Sequence, residues 1–427
     1  MGDLVGRGAT VDFPLASPAV TPRTRSHPLR RAVAAAVGLA LAVGCSSGDD
    51  DPDQEGSAGA EAEAAEAEST DVLFPDDEWA RAESAAALGF DQAVLDEIAA
   101  QAEGAASNCL LVTRQGQIAG EWYWNDTDAT SSQEVFSVTK SITSTLVGIA
   151  DGDGDLDVDD KASEYIDAWA GTESADVTIR NLVSNDSGRQ WAAAIDYGQL
   201  PGQPDMDTFA TGLGQDQPPG EVWAYNNAAI QTLDVVLREA TGEDTHAFAA
   251  ERLLDPIGMA ESEMTTDASG NTKTFMGLSS TCEDLARFGY LFLRGGTWDG
   301  TEVVPEDWVD AAVGQPSQEL NSAYGFLWWL NRPGPVAGAA QATGAAGEDQ
   351  SESQMVAGAP DDMFFALGLG NQIVAVDPGS ETVVVRLGGA GAPEGATPFD
   401  TAAAARVVTE ALVDPDAAPV AATESDG

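Results

Sequence analysis

The most regular pattern in the chain is a series of apolar residues at helical intervals, directly after a short mixed stretch. The series consists of Ile142, Leu146, Val147, Ile149 and Ala150. This spacing puts the side chains on one face of an α-helix and predicts a buried helix that begins near Ser137. Because residues three apart share a helix face, Lys140 is expected one turn beyond Ser137 and beside its hydroxyl.

Further apolar runs predict strands towards both ends of the folded region. A β-hairpin is expected from residues 109–113 and 117–124, and later strands at 363–367, 372–376 and 382–387. Helices are expected near 90–101, 178–183, 225–241, 245–254, 281–295 and 400–412. Strands at both ends that enclose a helical middle predict an α+β fold: an antiparallel sheet from N- and C-terminal segments, flanked by helices, with an inserted mainly helical region.

Residues 1–44 have the pattern of an export signal. Four arginines between residues 23 and 31 precede an apolar run from Ala32 to Val43, too short to span a bilayer as a mature helix. The run ends in Leu41-Ala42-Val43-Gly44-Cys45, which resembles a bacterial lipobox. We therefore expect lipidation of Cys45 and a cell-envelope lipoprotein. The alternative is a cleavable signal that a cysteine happens to follow, in a secreted or periplasmic protein.

Acidic segments of low complexity flank the expected folded domain, which spans residues 71–413. Residues 45–70 are predicted to be a flexible linker and residues 414–427 a disordered tail, because neither can bury apolar area. The acidic run from Asp151 to Asp160 lacks the glycine and the glutamate that a calcium loop needs. We interpret that run as a solvated turn.

Charge and histidine content exclude several classes of function. The chain has 71 acidic and 19 basic residues, with a formal net charge of −52. This surface repels nucleic acid and anionic lipid, so no nucleic-acid partner is expected, and membrane contact is expected only through the lipid anchor. Histidine occurs only as His27 and His246. This scarcity argues against a Ser-His-Asp triad and a histidine-built zinc site, and we expect neither metal nor cofactor.

Ser137 and Lys140 form a Ser-x-x-Lys motif on the apolar helix. A hydroxyl is a weak nucleophile until a base takes its proton, and a lysine desolvated between a helix and a sheet can have its pKa lowered enough to be that base. The motif alone is common on solvated helix faces. Its apolar flanks, and the scarcity of lysine (Lys140, Lys161 and Lys273 only), favour a catalytic interpretation.

Further motifs follow in a fixed order. They are Phe136-Ser137-Val138-Thr139-Lys140-Ser141, Asn181-Leu182-Val183-Ser184-Asn185-Asp186-Ser187-Gly188, Pro218-Pro219-Gly220-Glu221-Val222-Trp223-Ala224-Tyr225-Asn226-Asn227, Gly277-Leu278-Ser279-Ser280-Thr281, Asp284-Leu285-Ala286-Arg287-Phe288-Gly289 and Tyr324-Gly325-Phe326-Leu327-Trp328-Trp329. Together they resemble the serine β-lactamase and penicillin-binding-protein family, in particular its branch of class C β-lactamase-related enzymes, esterases and 6-aminohexanoate-dimer hydrolases. The likeness covers residues from about 75 to 412.

The resemblance implies a role for each matching residue. Ser137 would be the acylated nucleophile and Lys140 its proton acceptor, alone or with Tyr225. The Tyr225 phenol, lowered in pKa beside Lys140, would pass the proton to the leaving group. Asn227 would orient the lysine and the substrate carbonyl, whereas by themselves Tyr225 and Asn227 would be a turn tyrosine and a helix N-cap. Tyr197 is a further candidate contact with the substrate.

One family motif is altered in this chain. The family has Lys or His, any residue, then Gly on the strand that borders the site, and this chain has Ala366-Leu367-Gly368. The resemblance implies an oxyanion hole from the N–H of the nucleophile and that of Leu369, just past Gly368, and a backbone donor survives any change of side chain. The cation that binds a substrate carboxylate is missing. Its loss argues against β-lactams and peptides ending in D-alanine.

The function expected from these residues is an SxxK serine hydrolase that cleaves a small ester or amide through an acyl-enzyme formed with Ser137, Lys140 and Tyr225. One alternative is a β-lactamase or D-amino-acid peptidase. Another is a catalytically idle, penicillin-binding-like lipoprotein that binds cell-wall fragments. The intact set of Ser137, Lys140, Tyr225 and Asn227 argues against an idle protein, since a pure binder has no reason to keep all four.

Cys109 and Cys282 remain once Cys45 carries lipid, an even number in an exported protein. Cys109 opens the first predicted hairpin strand, and Cys282 lies in the first turn of a predicted helix. Both sit at element ends, where a bridge distorts neither a ladder nor a helix, so we predict a disulfide. The alternative is two buried free thiols that act as small apolar residues.

Overall fold

The valine-rich segments near the C-terminus form the centre of a seven-stranded sheet. The computed structural model describes residues 72–76, 78–340, 342–344, 351–389 and 392–417. The strands in these ranges are β1 Ala80–Arg81, β2 Ser107–Arg114, β3 Gln117–Tyr123, β4 Gln133–Glu134, β5 Val222–Ala224, β6 Glu263–Met264, β7 Leu278–Ser280, β8 Thr297–Trp298, β9 Thr301–Glu302, β10 Trp329–Leu330, β11 Gly334–Val336, β12 Ala342–Gly344, β13 Ser351–Ser353, β14 Phe364–Gly368, β15 Gln372–Asp377 and β16 Thr382–Gly388.

Helices occupy most of the region between the two groups of sheet strands. The α-helices among the described residues are α1 Gln92–Gly104, α2 Thr139–Asp153, α3 Ile179–Val183, α4 Met206–Gly212, α5 Asn227–Thr241, α6 Thr245–Ala249, α7 Cys282–Leu293, α8 Glu306–Val309 and α9 Thr401–Arg406. Single 3-10 turns occur at Ala85–Leu88, Phe136–Val138, Ala162–Glu164, Asp167–Trp169 and Leu200–Gly202. Short π-helical turns occur at Ala194–Gln199, Ala250–Leu254, Asp310–Gly314 and Val407–Ala411.

The main sheet has the strand order β1-β3-β2-β16-β15-β14-β10. Its pairs are antiparallel except for β1 and β3, which are parallel. The first three strands come from the N-terminal side of the helical region and the other four from the C-terminal side. The predicted α+β fold is therefore confirmed, and the late strands end within a residue or two of their predicted bounds.

Helices cover both faces of the sheet. Val383 and Val385 face one side of β16, and Val384 and Arg386 face the other, because side chains alternate along a strand. Helix α7 packs on the first side so closely that a Cβ added at Gly289 would lie 2.7 Å from the Val383 side chain. Helix α1 ends on the second side, where the carbonyl of Ala105 accepts a hydrogen bond from Arg386. Double coverage explains why every residue of β15 and β16 is buried.

Helix α2 is the buried helix that the apolar spacing predicts. Every residue from Thr139 to Ala150 is buried. Two of its hydroxyls donate to distant carbonyls: Ser141 to that of Leu327 at 2.9 Å, and Thr143 to that of Thr274 at 2.7 Å. The buried Ser144 hydroxyl has no partner within the described residues. The bonds of Ser141 and Thr143 satisfy these two hydroxyls inside the protein and tie the helix to neighbouring segments.

The described ranges begin at residue 72. The predicted export signal, the linker and Cys45 lie outside them. At the other end, the carbonyls of Pro415 and Ala417 accept hydrogen bonds from buried Arg114, so the packed structure continues beyond the predicted boundary at residue 413. No helix in the described part of the chain has both the length and the apolarity to cross a bilayer.

A disulfide joins Cys109 on β2 to Cys282 at the start of α7, with 6.5 Å between the two Cα atoms. The two residues are 173 positions apart in the sequence. The bond therefore ties the sheet to the helix that covers it, and it closes a loop that contains α2 and most of the helical region.

We predict that removal of this disulfide destabilises the protein. In a Cys45→Ser background, Cys109→Ala with Cys282→Ala should lower the free energy of unfolding by about 2–4 kcal/mol, because the unfolded chain regains the entropy of a long loop. Urea unfolding of the two proteins measures the difference. Peptide mapping without reductant should recover the two cysteines in one linked peptide pair; recovery of both as free thiols would contradict the bridge.

Candidate active site

Ser137 lies in the 3-10 turn that leads into α2. The preceding residue, Phe136, has a φ of 50°, a conformation that costs a non-glycine residue on the order of 1 kcal/mol or more. Neighbouring groups hold the turn: Val135 N–H donates to the carbonyl of Leu278 at 2.9 Å, and Leu278 N–H donates to the Thr139 hydroxyl at 3.0 Å. The strained turn leaves Ser137 partly exposed at the end of an otherwise buried helix.

The Lys140 amine lies directly beside the Ser137 hydroxyl. Its Nζ atom is 2.8 Å from Ser137 Oγ and 2.8 Å from the carbonyl oxygen of Phe275, and the residue is only 1% exposed. Burial lowers the pKa of Lys140 to about 7, while the nearby carboxylate of Asp196 acts in the opposite direction. Near neutral pH a substantial fraction of the amine is therefore unprotonated and able to accept the serine proton.

Tyr225 completes this cluster. Lys140 Nζ lies 4.7 Å from the centre of the Tyr225 ring, and that ring stacks on Trp329 with 5.5 Å between centroids. Burial raises the pKa of the Tyr225 phenol well above its ordinary value, and a hydrogen bond with the Ser137 hydroxyl only partly offsets this rise. The expectation that Tyr225 has a lowered pKa is therefore wrong. The phenol is neutral at physiological pH and can donate a proton.

The two asparagines after Tyr225 have different tasks. The side chain of Asn226 is the N-cap of α5 and accepts from the N–H of Ala229 at 2.8 Å. Asn227 is the first residue of the helix, and its buried Oδ1 has no hydrogen-bond partner within the described structure. The cap role that sequence alone left open for Asn227 therefore belongs to its neighbour, and the Asn227 amide keeps an acceptor free.

Asp196 is a member of the site that sequence reasoning missed. It is fully buried, and its Oδ2 accepts the backbone N–H of Asn227 at 2.5 Å. Burial raises its pKa to about 6, and the N–H groups of α5 and the Lys140 amine act against this rise. A single acid after the apolar run Trp191-Ala192-Ala193-Ala194-Ile195 was the available signal.

The end of strand β14 lies against the 3-10 turn that contains Ser137. A Cβ added at Gly368 would come within 2.2 Å of the carbonyl oxygen of Val135, so only glycine permits this approach. The next residue, Leu369, is 66% exposed. The Ala366 side chain is fully buried in the strand and brings no charge to the site. The expected use of the Leu369 N–H beside that of Ser137 stays a prediction.

Tyr197 lies near the cluster of Ser137, Lys140 and Tyr225, whereas His246 contacts a different part of the structure. Tyr197 is 50% exposed, its hydroxyl donates to the carbonyl of Ala339 at 3.0 Å, and it is close enough to influence the titration of Tyr225. His246 instead lies on α6, with Nδ1 3.4 Å from the hydroxyl of Thr272. A hydroxyl, a buried amine, a neutral phenol and backbone N–H groups therefore lie together in the structure, and acyl transfer uses groups of these kinds.

Comparison with known proteins identifies the family of this chain. A profile of the Beta-lactamase family matches residues 90–409. The chain belongs to the Beta-lactamase family. It is 25% identical over 279 residues to the 6-aminohexanoate-dimer hydrolase of Paenarthrobacter ureafaciens, covering 57% of this chain and 70% of that one. It is 26% identical over 175 residues to the D-aminopeptidase of Cereibacter sphaeroides, covering 36% of this chain and 32% of that one.

The fold is also that of solved structures of this type. The D-alanine carboxypeptidase of Burkholderia cenocepacia superposes with a TM-score of 0.54 at 18% identity. The superposition covers 74% of this chain and 99% of that one. This Beta-lactamase family protein thus shares its architecture with a family of serine hydrolases, and its relatives include enzymes named for the hydrolysis of amides. The resemblance inferred from the ordered motifs is confirmed.

The coupling between Asp196 and Lys140 predicts a shift in pH dependence. Modification of Ser137 by a fluorophosphonate should rise with pH through about 7, as Lys140 loses its proton. The negative charge of Asp196 stabilises protonated Lys140, so Asp196→Asn should lower the pKa of the lysine and move this rise to lower pH. The measurement is the rate constant of labelling against pH.

Asp299→Asn, in the exposed turn between β8 and β9, serves as the matched charge control and should leave the pH profile unchanged. An unchanged or upward-shifted midpoint in Asp196→Asn would contradict the coupling.

Proposed function

We propose that this protein hydrolyses a small ester or amide through an acyl-enzyme on Ser137. The observation that carries the proposal is the 2.8 Å separation between the Ser137 hydroxyl and the buried amine of Lys140, whose pKa burial lowers. A desolvated amine that forms no hydrogen bond with a carboxylate is easily deprotonated. In its neutral form it can accept the proton of the adjacent serine hydroxyl.

The proposed reaction has two stages. Ser137 Oγ attacks the substrate carbonyl carbon while its proton passes to Lys140 Nζ, and the resulting oxyanion is bound by the N–H groups of Ser137 and Leu369. The tetrahedral intermediate collapses, the bond to the leaving group breaks, and the proton reaches the leaving atom through the Tyr225 phenol. Water then attacks the acyl carbon and loses a proton to the Lys140 amine. The bond between that carbon and Ser137 Oγ breaks, the proton passes from Lys140 to Oγ, and the acid is released.

The surroundings favour a neutral substrate. Ala366 supplies no cation for a carboxylate, and two of the exposed large apolar side chains in the described structure, Tyr197 and Leu369, belong to the site region. A β-lactam or a peptide with a terminal carboxylate would meet this surface without a counter-charge. The activities named for the relatives make an amide bond as plausible a target as an ester.

Location is the second part of the proposal. The signal-like segment ending at Cys45 supports export and attachment to the cell envelope by lipid.

The alternative of a catalytically idle binding lipoprotein is disfavoured because the nucleophile, base and phenol are in contact rather than merely present.

The deciding experiment is incubation with a fluorophosphonate followed by mass spectrometry. We expect one adduct, on the peptide that contains Ser137, and none in Ser137→Ala. The absence of an adduct on the folded wild-type protein would support the idle-binder alternative.

A second expectation concerns which residues catalysis needs. Ser137→Ala and Lys140→Ala should each lower kcat by about 10³-fold or more, because one removes the nucleophile and the other its base. His246→Ala removes a side chain whose ring lies 3.4 Å from the Thr272 hydroxyl, and it should leave kcat nearly unchanged. Steady-state kinetics on the best ester found, with circular dichroism to verify folding, tests this. An inactive histidine variant beside an active lysine variant would overturn the mechanism.

Substrate charge provides a third test. The p-nitrophenyl ester of butyrate should have a kcat/KM at least about tenfold above that of the matched succinate half-ester, because a carboxylate that loses water without gaining a partner costs about 1–3 kcal/mol or more. Ala366 is fully buried, so the charge is varied on the substrate rather than on the residue.

The assay is repeated in about 1 M salt, where the Debye length is ~3 Å and repulsion by the acidic surface as a whole is screened. A preference that persists there reflects the site itself. Nitrocefin turned over as efficiently as simple esters would refute the argument.

A further inference from the structure

Arg386 is a buried cation that the proposed reaction does not use directly. It lies on β16, is 1% exposed, and forms no ion pair with any carboxylate in the described part of the chain. Its partners are all neutral: the Ser107 hydroxyl at 2.7 Å, and the carbonyls of Ala105, Gly370 and Asn371 at 3.1, 2.6 and 2.9 Å. An uncompensated buried charge is costly, so its retention needs a reason.

The turn that Arg386 binds is the one that carries Leu369. Residues 369–371 connect β14 to β15, and Gly370 and Asn371 have positive φ values of 80° and 60°. Buried Gln372 donates its side-chain N–H to the carbonyl of Leu369 at 3.1 Å. Three consecutive carbonyls, those of Leu369, Gly370 and Asn371, are thus all held by buried side chains, although the Leu369 side chain itself is largely exposed.

The N–H of Leu369, in contrast, has no acceptor among the described residues. It sits immediately after Gly368, which touches the carbonyl of Val135 at the start of the nucleophile turn. A donor that is free of protein partners, on a turn whose carbonyls are all fixed, is suited to bind an oxyanion without reorganisation. The turn is an exposed hairpin end, and without these bonds its backbone would be free to move.

We propose that Arg386, supported by Gln372, is a positioning residue that fixes the Leu369 N–H for the oxyanion of the reaction. The inference rests on the proposed serine hydrolase function. It predicts that loss of the guanidinium contacts raises the free energy of the transition state. Substrate binding and the activation of Ser137 by Lys140 should change little.

Arg386→Lys keeps the charge but cannot bind four acceptors on three sides. We expect kcat to fall about 10²-fold, as when an oxyanion donor is lost, with KM within about threefold of the wild-type value. Affinity for an alkyl boronic acid, whose adduct with Ser137 is tetrahedral, should fall by a similar factor. The pH midpoint of catalysis should not move, because the surroundings of Lys140 are unchanged.

The chain offers a matched control in Arg114. It is also 1% exposed and also donates to backbone carbonyls, those of Leu88, Ser380, Pro415 and Ala417, but it anchors the C-terminal segment. Arg114→Lys should lower thermal stability about as much as Arg386→Lys and leave kcat within about twofold. Equal losses of kcat in the two variants would show a merely structural role.

A milder variant keeps the test decisive if Arg386→Lys does not fold. Gln372→Met removes the bond to the Leu369 carbonyl, together with two bonds to the backbone of Gly388, while all four Arg386 bonds remain. We expect kcat and boronate affinity to fall about tenfold. Unchanged values in Gln372→Met would overturn the inference.

Labelling of wild-type Ser137 by a fluorophosphonate separates the two proposals. Without labelling, the serine hydrolase function itself fails. With labelling and a wild-type kcat in Arg386→Lys, only the positioning role fails.

Discussion

Removal of one lysine amine from water is the constraint on which this structure depends. Lys140 can be a base only if its charged form is disfavoured, and that requires α2 to lie inside the protein along its whole first half. The seven-stranded sheet and the inserted helical region supply that interior. The amine is left with two neutral hydrogen-bond partners, the Ser137 hydroxyl and the Phe275 carbonyl. Neither compensates a positive charge as a carboxylate would.

The same burial acts in opposite directions on neighbouring groups. It lowers the pKa of the Lys140 amine and raises that of the Tyr225 phenol, because in each case the charged form is the one that loses hydration. One desolvated cluster thus contains a neutral base and a neutral acid at the same pH. Asp196 moderates the effect: its charge keeps the lysine pKa from falling further. The environment thus sets the protonation state of both groups.

Rigid backbone surrounds this cluster on two sides. On one side, the strained φ of Phe136 is held by bonds that involve Leu278 and Thr139. On the other, the turn after β14 has its carbonyls held by the side chains of Arg386 and Gln372. Gly368 brings the two pieces into contact. Donors fixed before the substrate arrives need no reorganisation when charge develops, which is where electrostatic stabilisation is most effective.

The sequence by itself determined the elements and the chemistry that depend on short spacing. Apolar periodicity located α2 and the late strands, three-residue spacing put Ser137 and Lys140 together, and the ordered motifs identified the family. Only the tertiary structure decided what depends on distance across the fold. Asp196 approaches Lys140 from 56 positions away, a neighbour that no local pattern reveals. The pKa of Tyr225 rises rather than falls because burial, invisible in the sequence, outweighs the adjacent amine. Helical and strand spacing are properties of the local backbone, whereas desolvation and pairing arise only when distant segments pack together.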